Sequence, residues 1–169
     1  MTCPELRPYQ IDVLERGRAR LRAGARRLLI QAATGGGKGH IIAEMCRAAV
    51  AKGKKAVVLI HRRRIIQQIS GRLALFGVPH GVVMADAGEG MPYRPDAPVQ
   101  VASRDTLLSR SVRKGVRGMS LPPADLVIVD ECHNLMSDQY MELISCYGKA
   151  LVAGFTATPA RSDGKGLGD

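Results

Sequence analysis

The sequence contains no Trp, and Phe and Tyr make up only 4% of its 169 residues, so any core must be built from aliphatic side chains. No apolar run approaches the ~20 residues that a membrane-crossing helix needs. Acid is scarce beside base: Asp plus Glu number 15 against 25 Lys plus Arg, a formal net charge of +10. Four cysteines, Cys3, Cys46, Cys132 and Cys146, lie far apart with no C-x-x-C pair. That spacing excludes a zinc ribbon and a disulfide framework, and points to reduced thiols in a cytoplasmic protein. The opening Met-Thr-Cys-Pro-Glu lacks the apolar stretch of a secretory signal. With 46% apolar residues, the chain can bury the core of one domain.

The positive charge is concentrated in one half. Residues 1–75 carry 16 Lys and Arg against 4 Asp and Glu, whereas residues 76–169 carry 9 against 11. A basic half beside a near-neutral half suggests a surface facing a polyanion, although for charge runs alone solvated helix faces are the slightly better explanation.

Hydrophobic periodicity alternates between strand and helix. Helices are expected at 8–23, 38–52, 64–76, 105–110 and 138–147, the third stopped by Gly77. Short strands are expected at 28–32, 56–60, 82–84, 99–103, 125–130 and 151–155. Residues 85–98 and 110–123, rich in Gly, Pro or basic residues, are read as surface excursions. The alternation predicts an α/β domain with a mostly parallel sheet and helices on both faces, its ligands beyond the carboxyl ends of the strands.

Two segments carry chemistry. Thr34-Gly35-Gly36-Gly37-Lys38-Gly39 lies between an expected strand and helix. Glycines there let backbone N–H groups converge on phosphate oxygens, and the Lys38 ammonium can reach the β and γ phosphates. The usual motif has Ser or Thr after the lysine, as a Mg²⁺ ligand. Gly39 stands there without a stability rationale, so weaker metal binding and slower hydrolysis are expected. Asp130-Glu131-Cys132-His133 ends the apolar run DLVIVD. Asp130 can hold Mg²⁺ through water and Glu131 can polarise an attacking water, while a metal site or a solvated turn is the plainer alternative.

Taken in order, the segments resemble the first RecA-like lobe of a superfamily 2 helicase or translocase of the DEAD/DEAH-box type, a P-loop NTPase fold. Leu6-Arg7-Pro8-Tyr9-Gln10 resembles the adenine-recognition element, residues 34–38 the phosphate loop, and Asp130 to His133 the acidic motif in a DECH spelling. His61, Arg62 and Arg63, together with Ser103 and Thr106, resemble motifs that contact the nucleic-acid backbone. Thr156 and Thr158, in Gly154 to Pro159, resemble the motif that couples nucleotide state to strand contacts.

The resemblance implies ATP and Mg²⁺ as cofactors. It casts Arg7, Gln10 and residues 34–39 as nucleotide-binding, Lys38, Asp130, Glu131 and His133 as catalytic, and Asp130 as the metal ligand. It also implies nucleic acid as partner, DNA sooner than RNA, in the cytoplasm of a bacterial or phage-infected cell, with no membrane involved. The lobe is expected over residues 1–160 and a tail or linker over 161–169. A second lobe, in the same protein or a partner chain, is expected to supply arginine to the cleft. The rival readings are a degenerate module that binds without hydrolysing, and a phosphate-loop enzyme of another kind, such as a kinase.

Overall fold

Period-two alternation along the central strands decides the architecture. In β2, Ala56–Ile60, residues Ala56, Val58 and Ile60 join one apolar cluster while Val57 and Leu59 join another. In β5, Leu126–Val129, Leu126 and Ile128 face the first cluster, Val127 and Val129 the second. A strand apolar on both faces has to be covered on both. The computed structural model, which describes residues 4–33, 35–85, 91–92, 94–113, 120–131 and 138–157, provides that cover with two helical layers.

The remaining strands are β1 (Arg27–Gln31), β3 (His80–Val83), β4 (Val99–Ser103) and β6 (Leu151–Thr156). They form one six-stranded sheet in the order β1-β6-β5-β2-β4-β3, every neighbouring pair parallel. On one face pack α1 (Pro8–Arg22), α2 (Lys38–Val50) and α3 (Arg63–Leu75), through Leu14, Ile41, Ile42, Ile66, Ile69 and Leu73. On the other pack α4 (Arg104–Leu107), a π-helical turn (Leu108–Arg113) and α5 (Asp138–Ser145), through Leu107, Leu108, Tyr140, Leu143 and Ile144. Because all six strands run the same way, the segments that follow β1, β2, β4, β5 and β6 emerge along one edge.

Local chemistry sets the ends. Pro8 opens α1, where a missing N–H costs nothing. Gly77, at φ 65°, stops α3 as expected, with Val78 N–H donating to the Leu73 carbonyl at 2.9 Å. Most ends fall within two residues of expectation, and two elements differ for a visible reason or in kind. Strand β3 starts at His80, not at 82, because its polar first residue is satisfied inside the core. His80 Nδ1 lies 2.9 Å from the Val78 carbonyl and Nε2 lies 2.8 Å from Ser70 Oγ. The helix expected at 105–110 is four residues of α-helix that continue as the π-helical turn.

No helix among the described residues is long and apolar enough to cross a membrane. Cys46, buried, and Cys146, exposed, are free thiols. The expected tail at 161–169 lies outside the described residues, as do Thr34, His133 and Thr158.

Candidate nucleotide site and strand-end surface

Strand β1 delivers the glycine loop to the edge of the sheet, where Ala32 N–H donates to the Thr156 carbonyl of β6 at 2.9 Å. Gly35 and Gly37 sit at φ 79° and 71°, in the left-handed region that glycine enters without a Cβ penalty. Helix α1 grips the loop from outside. The Tyr9 hydroxyl donates to the Gly36 carbonyl, and Gln10 Nε2 donates to the Gly37 carbonyl at 3.2 Å. Gln10 is 2% exposed, and its Oε1 accepts from Arg7 N–H at 2.9 Å. A Cβ on Gly37 would lie 2.5 Å from Gln10 Nε2, so glycine is required by contact as well as by φ.

Lys38 begins α2 and points across to Asp130, which follows β5. Lys38 Nζ lies 3.3 Å from Asp130 Oδ1, with side-chain exposures of 19% and 8%. That Oδ1 is buried and, among the described residues, has no hydrogen-bond partner besides this ion pair. Buried polar atoms are ordinarily satisfied, and a carboxylate oxygen with acceptor capacity left over beside a phosphate-type loop suits a hydrated Mg²⁺. Among the described residues there is no cluster of three or more His, Cys, Asp or Glu able to hold a metal. A single carboxylate is enough for Mg²⁺, which commonly keeps several waters and binds through one or two carboxylates plus substrate phosphates.

Glu131 adopts φ 56°, unusual for a residue with a Cβ. Its Oε2 lies 3.7 Å from Arg62 Nε, just after β2. Between these groups opens a cleft of about 1110 Å³, lined among others by Arg7, Gln10, Gly37, Gly39, Arg72 and Glu131.

His40, two residues into α2, stands beside this cleft with its ring edge-on to Phe76 at 5.7 Å. Burial, then the positive charges of Arg72 and Arg7, hold its pKa below the usual 6.5. The unfolded chain therefore binds that proton more readily than the folded one, and acid favours unfolding. Stability is expected to fall as pH drops from about 7 through 6.5 toward the folded value. Thermal melts of His40→Gln should show a shallower loss over that window, and an unchanged slope would remove His40 as its cause.

Gly39 has a structural reason that its sequence context hides. A Cβ there would lie 3.3 Å from Arg72 Cγ and 3.4 Å from Ile69 Cδ1, so its absence lets α2 and α3 approach closely. A larger residue at this position needs the Arg72 and Ile69 side chains to give by a few tenths of an ångström.

The strand-contacting candidates gather at neighbouring strand ends, since Ile60 of β2 is in register with Ser103 of β4. His61 Nδ1 lies 3.7 Å from Asp105 Oδ2, and Asp105 Oδ1 accepts from Arg104 Nε at 2.8 Å. Arg63 donates to the Ala85 carbonyl at 3.0 Å. Ser103 and Thr106 are buried, and Thr106 Oγ1 accepts from Ala85 N–H at 3.1 Å, so this hydroxyl braces the turn after β3. Thr156 is fully buried at the end of β6, beside the start of the glycine loop. The structure thus brings Arg7, Gln10, the glycines, Lys38, Asp130 and Glu131 to one cleft. His61, Arg62, Arg63, Ser103 and Thr106 lie along the adjoining edge.

Sequence reasoning missed His40 and Arg72 at the cleft, Tyr140 near the acidic strand end, and the part Tyr9 plays in holding the glycine loop. Tyr9 and His40 adjoin motif residues, which was the available signal. Tyr140 is 1% exposed under the Arg104 guanidinium, 5.0 Å from its ring centroid. Burial pushes its hydroxyl up to about 12, opposed by Arg104 and reinforced by Asp130, Asp105 and Glu131. Only the fold brings this tyrosine to the acidic strand end.

The family model described as type III restriction enzyme, res subunit, matches residues 4–161. A Saccharomyces cerevisiae protein whose name includes the words ATP-dependent helicase IRC3 is 28% identical over 98% of this chain and 25% of its own length. The UvsW helicase of bacteriophage T4 superposes with a TM-score of 0.71 at 19% identity, over 92% of this chain and 54% of that one. The Sulfolobus solfataricus SWI2/SNF2 ATPase core, solved with double-stranded DNA, gives 0.68 at 19% identity, over 93% of this chain and 34% of that one. The chain spans about a quarter of the length of the curated relatives it matches.

Proposed function

Because the chain belongs to the type III restriction enzyme res-subunit family, as a first RecA-like lobe of the superfamily 2 helicase type, we propose that it binds MgATP and one strand of DNA and couples hydrolysis to movement along that strand. The observation that carries this reading is the largely buried ion pair between Asp130 Oδ1 and Lys38 Nζ, 3.3 Å apart at the mouth of the glycine loop. Of the N–H groups of residues 35–39, that of Gly36 donates to the Ala33 carbonyl at 3.0 Å, and the others, with the Lys38 ammonium, hold the phosphates beside Thr34. Arg7 and the unused donor and acceptor capacity of Gln10 address the base. Asp130 would hold Mg²⁺, which when bound supplies charge neutralisation on the β and γ phosphates. Glu131 orients the attacking water and accepts its proton. His133, Thr156 and Thr158 relay nucleotide state to the strand-end surface.

His61, Arg62 and Arg63 meet the phosphodiester backbone, with Ser103 and Thr106 supporting the same edge. The charge excess of residues 1–75 suits a polyanion. DNA is the preferred strand in this reading, within the cytoplasm of a bacterial or phage-infected cell. A second lobe, in cis or from a partner, closes the cleft and supplies arginine, a contribution worth roughly 10³–10⁵ in rate in related hydrolases. The lobe occupies residues 1–160, with residues 161–169 leading toward that partner.

Titration with a fluorescent ATP analogue, with and without Mg²⁺, together with ATP turnover with and without single-stranded DNA, tests the reading. Mg²⁺-enhanced binding and DNA-stimulated turnover are expected. Absence of nucleotide binding would overturn the proposal. Gly39 supports a second reading, a module that binds without turning over, since that position offers no hydroxyl to the metal. Binding without any turnover, even beside a second lobe, would favour that module.

A further inference from the structure

Arg62 faces two ways. It is 68% exposed, at the end of β2 where a polyanion can reach it, and its Nε lies 3.7 Å from Oε2 of Glu131. Its neighbours along the edge have other partners: His61 and Arg104 face Asp105, and Arg63 holds the Ala85 carbonyl. At 3.7 Å the Arg62 pair is a loose charge contact, beyond the range of a good hydrogen bond and therefore readily exchanged. A phosphodiester offers the guanidinium the same kind of two-oxygen acceptor as a carboxylate. Glu131 is 28% exposed and stands at φ 56° in the turn that follows β5, within 3.7 Å of Arg62.

Building on the function proposed above, we infer that Arg62 is a positioning residue that engages Glu131 until a nucleic-acid phosphate takes its guanidinium. One arginine is then shared between the strand and the proton-accepting carboxylate. Strand binding releases Glu131 to the nucleotide, and by reciprocity Glu131 weakens strand binding by the same factor. An ion pair this exposed can hold back only a few-fold, so the device tunes the rate and does not switch it off.

A double-mutant cycle on the full chain tests this, with labelled oligothymidylate as probe and fluorescence anisotropy as readout. Glu131→Gln should tighten oligonucleotide binding about two- to fivefold in the Arg62 background and leave it unchanged in the Arg62→Ala background. The gain should shrink as salt is raised, because exposed charge pairs are screened. Arg62→Lys, which keeps the charge, should retain part of the gain. Turnover of Arg62→Ala without nucleic acid should rise by a similar two- to fivefold. An equal effect of Glu131→Gln in both backgrounds, or no effect in either, would overturn the shared-arginine inference and leave strand binding intact. No oligonucleotide binding by any of the variants or the parent would overturn the inference together with the strand-binding reading.

Discussion

ATP turnover lowered about a hundredfold to ten-thousandfold, with nucleotide affinity unchanged within about twofold, is the expected result of Glu131→Gln. The amide preserves the shape and the turn at φ 56° but cannot accept the proton of an attacking water. The phosphate-holding groups are untouched, since Lys38 faces Asp130 and the glycine loop is held by Tyr9 and Gln10. Phosphate release under single turnover, run beside analogue binding, separates the two quantities. Turnover within tenfold of the parent would remove Glu131 from the proton-accepting role.

Lys38→Ala carries the second large effect, on binding and stability together. Truncation leaves Asp130 as a buried carboxylate with no ammonium opposite it, and removes the side chain placed to reach the phosphates. Breaking a fully buried ion pair costs about 3–5 kcal/mol. Lys38 retains 19% exposure, so water softens the loss and about 1–3 kcal/mol is expected, roughly 3–10 °C in melting temperature. Nucleotide affinity should fall by about a hundredfold or more, the scale on which charge-assisted phosphate contacts act. Adding Asp130→Asn to Lys38→Ala should recover melting temperature without recovering binding, because an amide leaves no buried charge unpaired. Analogue titration and thermal melts of the single and double variants check this. A double variant as unstable as the single one would show that the cost lies in lost packing.

The elements that sequence placed best are those whose physics is local. Strands β2 and β4 fall on residues 56–60 and 99–103 as expected: β2, covered on both faces, is a continuous apolar run, and β4 carries Val99, Val101 and Ala102 around a buried Gln100. Lys38 and Asp130 were legible because their chemistry needs particular residue types beside strand ends. What escaped depends on partners distant in the chain. His80 hid the start of β3 because a histidine satisfied by Ser70 and Val78 does not look like core. Gly39 looked idle until α3 was seen pressed against it. Gln10 was recognisable as a candidate for the base edge, but its commitment to the Gly37 carbonyl is a tertiary fact that no spacing encodes.

The grip of α1 on the carbonyls of Gly36 and Gly37 has a consequence for energetics. In a trans peptide the N–H points opposite to the C=O, so tying these two oxygens toward Tyr9 and Gln10 turns the amides of Gly37 and Lys38 the other way. These dipoles are oriented before any anion arrives, and their alignment is settled when the chain folds. An incoming triphosphate would meet a preset electrostatic surface with little rearrangement left to perform.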